Sequence, residues 1–139
     1  MTETIIKAND ANTFKKQLNI LVVDDDAINL HLIKTILVRF GQKVDLARDG
    51  ALAVAKFKDN FYDVILMDIM MPVMDGVTAT IEIRKIEAER KTEAGQRVKI
   101  IAITANSCED DRVEFLAAGM DYYMNKPFQI DELQRLLKL

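Results

Sequence analysis

Short apolar runs alternate along the chain with longer segments in which apolar residues recur every three or four positions. The short runs consist of β-branched and aliphatic residues with almost no polar interruption, which is typical of strands buried on both faces. The longer segments each have one apolar side, as amphipathic helices do. The pattern predicts strands at 19–23, 43–47, 63–67, 98–103 and 122–124, and helices at 27–40, 50–58, 76–90, 109–118 and 129–138.

Regular alternation of strands and helices predicts an α/β fold in which a parallel sheet is covered by helices on both faces. The 139 residues are enough for one ordinary core, so we expect one domain at 18–139. Residues 1–17 are polar and aperiodic, and we expect them to be a flexible N-terminal leader. Asp75 is expected to cap the third helix, and the charged stretch 87–97 is expected to form a solvated helix end and loop.

Charge and composition exclude several classes of function. The net charge of −3 provides no broad basic surface, so we expect no direct contact with nucleic acid. No apolar run approaches the roughly 18 residues of a membrane span, and the first residues lack the apolar core of a signal peptide. We therefore expect no membrane span and a cytoplasmic location. The single cysteine, Cys108, excludes an internal disulfide and a cysteine metal cluster.

The carboxyl ends of the predicted strands carry the candidate chemistry. Asp24 and Asp25 follow strand one, Asp68 follows strand three, Thr104 follows strand four and Lys126 lies beyond strand five. In an open parallel sheet these ends share one edge, where ligands bind. Three neighbouring carboxylates repel one another, and a lysine together with a divalent cation would neutralise them. Oxygen ligands without histidine or cysteine favour Mg2+, which commonly shares its coordination with phosphate, so the cluster indicates phosphoryl chemistry.

Four segments resemble, in their order and spacing, the receiver domain of two-component response regulators, and in particular the receivers of hybrid histidine kinases. They read ILVVDDDAIN, DVILMDIMMPVMDG, IIAITAN and YYMNKPF. The resemblance covers about residues 18–139. It implies a flavodoxin-like (βα)5 fold, doubly wound, with a five-stranded parallel sheet in the order 2-1-3-4-5. It also implies that the chain is a phosphoacceptor in a two-component phosphorelay.

The resemblance implies a role for each acid of the cluster. Asp68 matches the aspartate that accepts a phosphoryl group from a phosphohistidine, carried by a histidine kinase or a histidine-phosphotransfer protein. Asp24 and Asp25 match the pair that holds Mg2+ together with Asp68 and the main-chain carbonyl of Met70. Asp26 lies one residue beyond this pair, and we expect it to be a helix cap or part of the rim.

Three further residues are implied to contact the phosphoryl group or to respond to it. Thr104 and Lys126 match the hydroxyl and the ammonium that bind phosphoryl oxygens, and the family usually has a cis bond before Pro127. Thr104 and Tyr123 match the pair that switches on phosphorylation, whereas strand alternation places Tyr122 on the opposite side. The partner would contact the face made by helix four, strand five and helix five. Whether phosphorylation dimerises the chain through that face is left open.

The start of the first helix is implied to be the docking site of the phosphodonor. Ile28, Asn29 and Leu32 match the family positions where donor specificity is determined. The lifetime of the phosphoryl group depends in the family on the residues here numbered Met70 and Asn106, and we expect apolar Met70 to slow hydrolysis.

Two other functions are weighed against this one. The first is a receiver-like module that binds partners without phosphorylation, although every site position carries a chemically competent residue. The second is an aspartate-nucleophile phosphatase of the haloacid dehalogenase type, but such enzymes have an acid–base aspartate where this chain has Met70. We therefore expect a signalling domain that catalyses its own phosphorylation and dephosphorylation, not an enzyme acting on an external substrate.

Overall fold

The computed structural model describes residues 17–105, 109–127 and 129–138. Strands and helices alternate strictly in the described chain, and each begins and ends within one or two residues of its predicted position. The elements are β1 (Asn19–Val23), α1 (Ala27–Arg39), β2 (Lys43–Ala47), α2 (Gly50–Asp59), β3 (Val64–Asp68), α3 (Gly76–Glu89), a short 3-10 helix (Ala94–Gln96), β4 (Lys99–Thr104), α4 (Glu109–Ala118), β5 (Tyr122–Asn125) and α5 (Ile130–Leu137).

The strands form one parallel sheet in the order β2-β1-β3-β4-β5, which confirms the predicted fold class and strand order. In this register Val23 lies opposite both Ala47 and Met67, and Asp68 lies opposite Ile103. The carboxyl ends of β1, β3 and β4 are therefore level with one another. This places the candidate residues at one edge of the sheet.

The core is divided by the sheet into two layers, because successive side chains of a strand point to opposite faces. Leu21 and Met67 point to the layer covered by α2, α3 and α4, and Ile20 and Leu66 point to the layer covered by α1 and α5. The three central strands are buried almost throughout, which explains their continuous apolar sequences.

Three helices begin at an aspartate that caps their free backbone N–H groups. The backbone N–H groups of Ile28, Leu52 and Thr78 donate to these side chains at 2.9, 2.8 and 2.8 Å. Such caps each stabilise a helix by about 1 kcal/mol. The structure confirms that Asp75 caps α3, and it shows Asp26 as the cap of α1.

Gly76 allows α3 to begin directly against the end of β3. A Cβ atom at this position would collide with the main-chain oxygen of Asp68, and would also lie 2.9 Å from Cγ of Met67. The Gly76 N–H donates to the carbonyl of Ile69 at 3.0 Å, which fixes the return of the chain. The absence of a side chain at Gly76 thus determines how closely α3 approaches the candidate site.

A charged cluster lies at the opposite end of the sheet. It shows that the expectation of a fully solvated stretch at 87–97 was wrong for Glu87. Glu87, the first residue of the stretch expected to be solvated, is 3% exposed. Its carboxylate accepts from Arg84 and from the Val98 N–H, both at 2.7 Å. Arg84 also donates to the Gly119 carbonyl and to the Asp121 carboxylate, both at 2.9 Å. Buried charge is tolerated here because each charged group has hydrogen-bonding partners.

Several predictions concern residues that the structure does not describe or describes only in part. The expected leader lies outside the described residues except for Gln17, whose side-chain amide donates to the Gly41 carbonyl at 3.0 Å. Asn106 and Cys108 also lie outside them. Of the helices in the described ranges, none has both the length and the apolar character that crossing a membrane requires.

Candidate functional site

The sheet brings together the polar residues that were predicted to converge. Asp24 follows β1, Asp68 ends β3, Thr104 ends β4, and Lys126 follows β5. The side chains of Asp24, Asp68 and Thr104 are buried, although all three are polar. Buried polar groups that belong to no packed core are typical of functional sites, and here they lie where parallel sheets bind ligands.

Three carboxylates at this edge form an acidic cluster. Oxygen atoms of Asp24, Asp25 and Asp68 all lie within 4.8 Å of one another, with Asp25 exposed and the other two buried. Carboxylate oxygens are the ligands that Mg2+ prefers, and one exposed ligand leaves room for the water molecules that this ion retains. The donor set therefore fits a magnesium ion.

Lys126 partly compensates the negative charge. Its Nζ atom lies 3.2 Å from Oδ1 of Asp68 and 3.6 Å from Oδ2 of Asp24. Although burial lowers the pKa of Lys126, the two carboxylates outweigh burial and raise this pKa above its usual value. Lys126 is therefore harder to deprotonate than an ordinary lysine. The Lys126–Pro127 peptide bond is cis, as the resemblance implied.

The carboxyl group of Asp68 is harder to ionise than an ordinary aspartate. Burial and the charge of Asp24 raise its pKa to about 6, and the contact with Lys126 offsets only part of this rise. A bound cation would favour the ionised form of Asp68, so metal binding and deprotonation are coupled at this site.

Asp24 is oriented by the residues that begin α1. Its Oδ1 atom accepts from the backbone N–H of Asp26 at 2.9 Å, and its Oδ2 atom lies 3.5 Å from the amide nitrogen of Asn29. The sequence predicted only a docking role for Asn29. The structure places it beside the acidic cluster, a contact that the i, i+5 spacing of Asn29 and Asp24 did not reveal.

The rim of the site is apolar and exposed. Ile28 and Leu32 of α1 are exposed, and Met70 and Val73 in the loop after β3 are 77% and 82% exposed. Exposed apolar residues that surround a polar site are typical of a protein contact. The sequence predicted the first three of these residues, whereas Val73 was missed.

A cavity adjoins the acidic cluster on the side of α1. It has a volume of about 390 Å3 and is lined mainly by apolar groups, with polar groups of the cluster at one end. The lining residues are Asp24, Asn29, Leu32, Ile33, Ile103, Lys126 and Pro127. The cavity thus joins the predicted docking residues to the acidic cluster.

The predicted switch residues lie on one face of the sheet. Thr104 is buried at the end of β4, and Tyr123 of β5 is half-buried and lies opposite Ala102 in the register. Ala102 and Thr104 are two residues apart in β4 and so point to the same face, against which Tyr123 also packs. Tyr122 is exposed, and its position next to Tyr123 in β5 directs it to the other face.

This combination of fold and site matches one protein family. The family model described as the response regulator receiver domain matches residues 20–138. The chain is a response regulator receiver domain. Its family accepts phosphoryl groups in two-component phosphorelays. The acidic cluster lies at the carboxyl ends of the strands, where open parallel sheets bind ligands.

Relatives of this receiver domain are much longer proteins. Hybrid signal transduction histidine kinase I of Dictyostelium discoideum is 42% identical over 113 residues, which are 78% of this chain and 6% of the relative. Transcription factor SKN7 of Saccharomyces cerevisiae is 35% identical over 129 residues, which are 93% of this chain and 20% of that protein. The chain spans only 4% to 20% of the curated relatives that it matches.

Solved structures of other receivers share the fold. The receiver domain of sensor histidine kinase PA1611 from Pseudomonas aeruginosa, with a magnesium ion in its active-site cleft, is 44% identical with a TM-score of 0.74, covering 88% of this chain and 96% of that one. A second match is in the co-crystal structure of the Saccharomyces cerevisiae phosphotransfer protein Ypd1 with the receiver domain of Ssk1. It is 28% identical with a TM-score of 0.82, covering 88% and 87% of the two chains.

Proposed function

We propose that Asp68 is the phosphoacceptor of this receiver domain. The observation that carries the proposal is the convergence of Lys126 and two further carboxylates on the buried Asp68 carboxylate at the end of β3. An aspartate in an ordinary structural ion pair has no need of additional carboxylates beside it, because they only add repulsion. The same arrangement is suited to phosphoryl transfer, in which positioning and charge neutralisation supply most of the catalysis.

In the proposed reaction, a carboxylate oxygen of Asp68 attacks the phosphorus of a phosphohistidine. The new O–P bond forms as the N–P bond breaks, and the imidazole nitrogen keeps the bonding electron pair. In this proposal the Lys126 ammonium and the Thr104 hydroxyl would bind phosphoryl oxygens. Support comes from the contact of Lys126 with Asp68 and from the position of Thr104 at the end of the neighbouring strand β4. In dephosphorylation, water attacks the phosphorus, inorganic phosphate leaves, and the Asp68 carboxylate is regenerated.

We propose Mg2+ as the cofactor. Asp24, Asp25 and Asp68 would hold it, with the main-chain carbonyl of Met70 as a further ligand. When bound, the ion supplies the positive charge that neutralises the carboxylates and the phosphoryl oxygens. Support comes from the oxygen donor set and from the magnesium ion in the similar PA1611 receiver domain.

We propose that the phosphodonor is a histidine kinase or a histidine-phosphotransfer protein that docks on Ile28, Asn29 and Leu32. The exposed apolar rim supports a protein donor, and the similar Ssk1 receiver was crystallised with the phosphotransfer protein Ypd1. The proposal includes a cytoplasmic location for the chain. The domain would act as a phosphoacceptor in signalling and not on an external substrate.

The surface formed by α4, β5 and α5 is the proposed output of the switch. Val113 and Leu116 of α4, Tyr122 of β5 and Ile130 of α5 are all exposed apolar residues on these elements. Such a surface suits a contact with another protein or with a second phosphorylated copy. In this proposal the state of Thr104 and Tyr123 controls whether that contact forms.

The proposal is tested by phosphorylation with phosphoramidate and Mg2+, read by intact-protein mass. We expect the wild type to gain one phosphoryl group, and Asp68→Ala to gain none. Asp131→Ala, which removes an exposed aspartate of α5, is the matched control and should be labelled like the wild type. Labelling that persists in Asp68→Ala would refute the assignment. An unlabelled wild type would instead favour a phosphorylation-independent module, and repeated turnover of a phosphate ester would favour a phosphatase.

A further inference from the structure

Each of the two adjacent tyrosines of β5 lies beneath a cation from a neighbouring element. The guanidinium carbon of Arg112 in α4 lies 4.8 Å from the centre of the Tyr123 ring. Nζ of Lys99 in β4 lies 5.4 Å from the centre of the Tyr122 ring. Both distances are within the roughly 6 Å at which a cation is attracted to an aromatic ring. The geometry is similar, but the two rings lie on opposite faces of the sheet.

Only one of these rings can respond to the phosphorylation site. Tyr123 is on the face where the Thr104 side chain points, and its ring packs between the buried core and Arg112. Tyr122 is on the other face and is exposed. If the Tyr123 ring turns towards Thr104, it moves from beneath the guanidinium group. The Arg112 contact therefore favours the half-buried position of Tyr123 over an inward one.

We propose that Arg112 is a latch on the switch, which holds Tyr123 in its half-buried position and opposes its inward rotation. The inference rests on the proposed function, in which Thr104 and Tyr123 form the switch. It adds that phosphorylation of Asp68 draws the Thr104 hydroxyl towards the phosphoryl group, and that the Tyr123 ring turns inward into the space this leaves. Arg112 is a positioning residue in this scheme, since it contacts the ring and not the phosphoryl group.

The size of the effect follows from the strength of the contact. A cation–aromatic contact at a partly exposed site changes an equilibrium by about two- to five-fold. Removing Arg112 should increase the inward population of Tyr123 by this factor. Because coupling between two sites is reciprocal, it should also tighten the binding of a phosphoryl analogue at Asp68, by no more than the same factor. Arg112 thus changes how much of the protein has Tyr123 turned inward, but it does not change which position of Tyr123 phosphorylation favours.

The test combines ring-proton NMR of the three tyrosines with titration of beryllium fluoride, a phosphoryl analogue, in saturating Mg2+. We expect Arg112→Ala to move the Tyr123 signals towards their analogue-bound position before any analogue is added. It should also tighten analogue binding by about two- to five-fold. Arg112→Lys, which retains a cation, should fall between Arg112→Ala and the wild type. The matched control, Lys99→Ala, should move the Tyr122 signals and leave analogue affinity unchanged.

A double-mutant cycle separates this contact from the other contacts of Arg112. The effect of Arg112→Ala on analogue affinity should disappear in a Tyr123→Leu background, because the ring is gone. The latch would be overturned if Arg112→Ala changed analogue affinity equally in the wild-type and Tyr123→Leu backgrounds. It would also be overturned if the analogue moved the Tyr123 signals of the wild type but Arg112→Ala left those signals unchanged. If the analogue does not bind wild-type protein through Asp68, the proposed function fails and the latch fails with it.

Discussion

Asp68 carries its charge at the buried end of β3, beside Asp24 and only partly compensated by Lys126. The free energy needed to ionise it in the folded chain is larger than in an unfolded chain, as its pKa of about 6 indicates. A nearby cation therefore stabilises the ionised form of Asp68. Burial therefore disfavours the ionised Asp68 in the metal-free protein and favours a form in which a cation is bound beside it.

The first prediction concerns the stability of the metal-free protein. The unfolded chain releases the Asp68 proton near pH 4, whereas the folded chain keeps it up to about pH 6. The folded state thus binds more protons between pH 4 and 6, so this group lowers the free energy of unfolding as the pH rises through that window. In EDTA, Asp68→Asn should raise that free energy by about 1–3 kcal/mol at pH 7.5 and leave it nearly unchanged at pH 4.

Urea denaturation at both pH values measures this difference. Asp59→Asn, at the exposed end of α2, is the control and should change the free energy of unfolding by less than about 0.5 kcal/mol at either pH. Equal effects of Asp68→Asn at pH 4 and 7.5 would contradict the prediction.

The second prediction concerns the lifetime of the phosphoryl group. Met70 is two residues beyond Asp68, and its side chain is apolar and exposed at the rim. An amide there could hydrogen-bond an attacking water, and one such bond of about 1 kcal/mol corresponds to about five-fold in rate. Met70→Asn should therefore shorten the half-life of the phosphorylated domain. Val73→Asn, in the same loop, is the control and should keep the half-life of the wild type. Equal half-lives of Met70→Asn and the wild type would end the hypothesis.

At the scale of elements, the loop between β3 and α3 is tightly constrained. Gly76 lets α3 approach the main chain of Asp68, and Asp75 caps the helix that follows. Within this loop Val73 adopts a φ of 71°, a conformation that β-branched residues rarely take. The loop therefore holds a strained residue at the rim where a donor would dock.

The third prediction tests this strain. Glycine adopts a positive φ without the clash that a Cβ atom causes, so Val73→Gly should raise the free energy of unfolding by about 0.5–1.5 kcal/mol. Val38→Gly replaces an exposed valine in α1 with ordinary helical geometry and should lower it by about 0.5–1 kcal/mol. Chemical denaturation of both variants measures the difference. A lower free energy of unfolding for Val73→Gly than for the wild type would show that Val73 is not strained.

At the scale of the whole molecule, the acidic cluster links β1 to β3 through residues far apart in the sequence. A ligand that binds this cluster only in the folded protein stabilises the entire domain, because the cluster disappears on unfolding. Magnesium binding should therefore be measurable as an increase in the free energy of unfolding of the whole domain.

The fourth prediction is an increase in thermal stability with Mg2+. At ten times its dissociation constant the ion should stabilise the domain by about 1.4 kcal/mol, which raises Tm by roughly 3–6 °C. Asp25→Asn should reduce this shift because it removes one ligand. Asp131→Asn should retain it, since Asp131 is an exposed residue of α5 and is not one of the three clustered carboxylates. Scanning calorimetry with and without Mg2+ provides the measurement, and a shift that survives Asp25→Asn would place the ion elsewhere.

The sequence by itself determined the fold and the composition of the site. Short uninterrupted apolar runs are typical of central strands, and their alternation with amphipathic segments predicts parallel crossovers. Asp24, Asp68 and Lys126 could be predicted to converge because parallel strands end at one edge. These inferences need only local patterns and chain order.

The tertiary structure decided the features that depend on neighbours from distant parts of the chain. Glu87 has the sequence surroundings of a solvated residue, yet it is buried because Arg84 and the Val98 N–H satisfy its charge. The conformation of Val73 and the position of Arg112 over Tyr123 likewise follow from how loops and helices pack on the sheet. Periodicity identifies the side of an element that is buried, but the partner of each individual side chain is determined by three-dimensional packing.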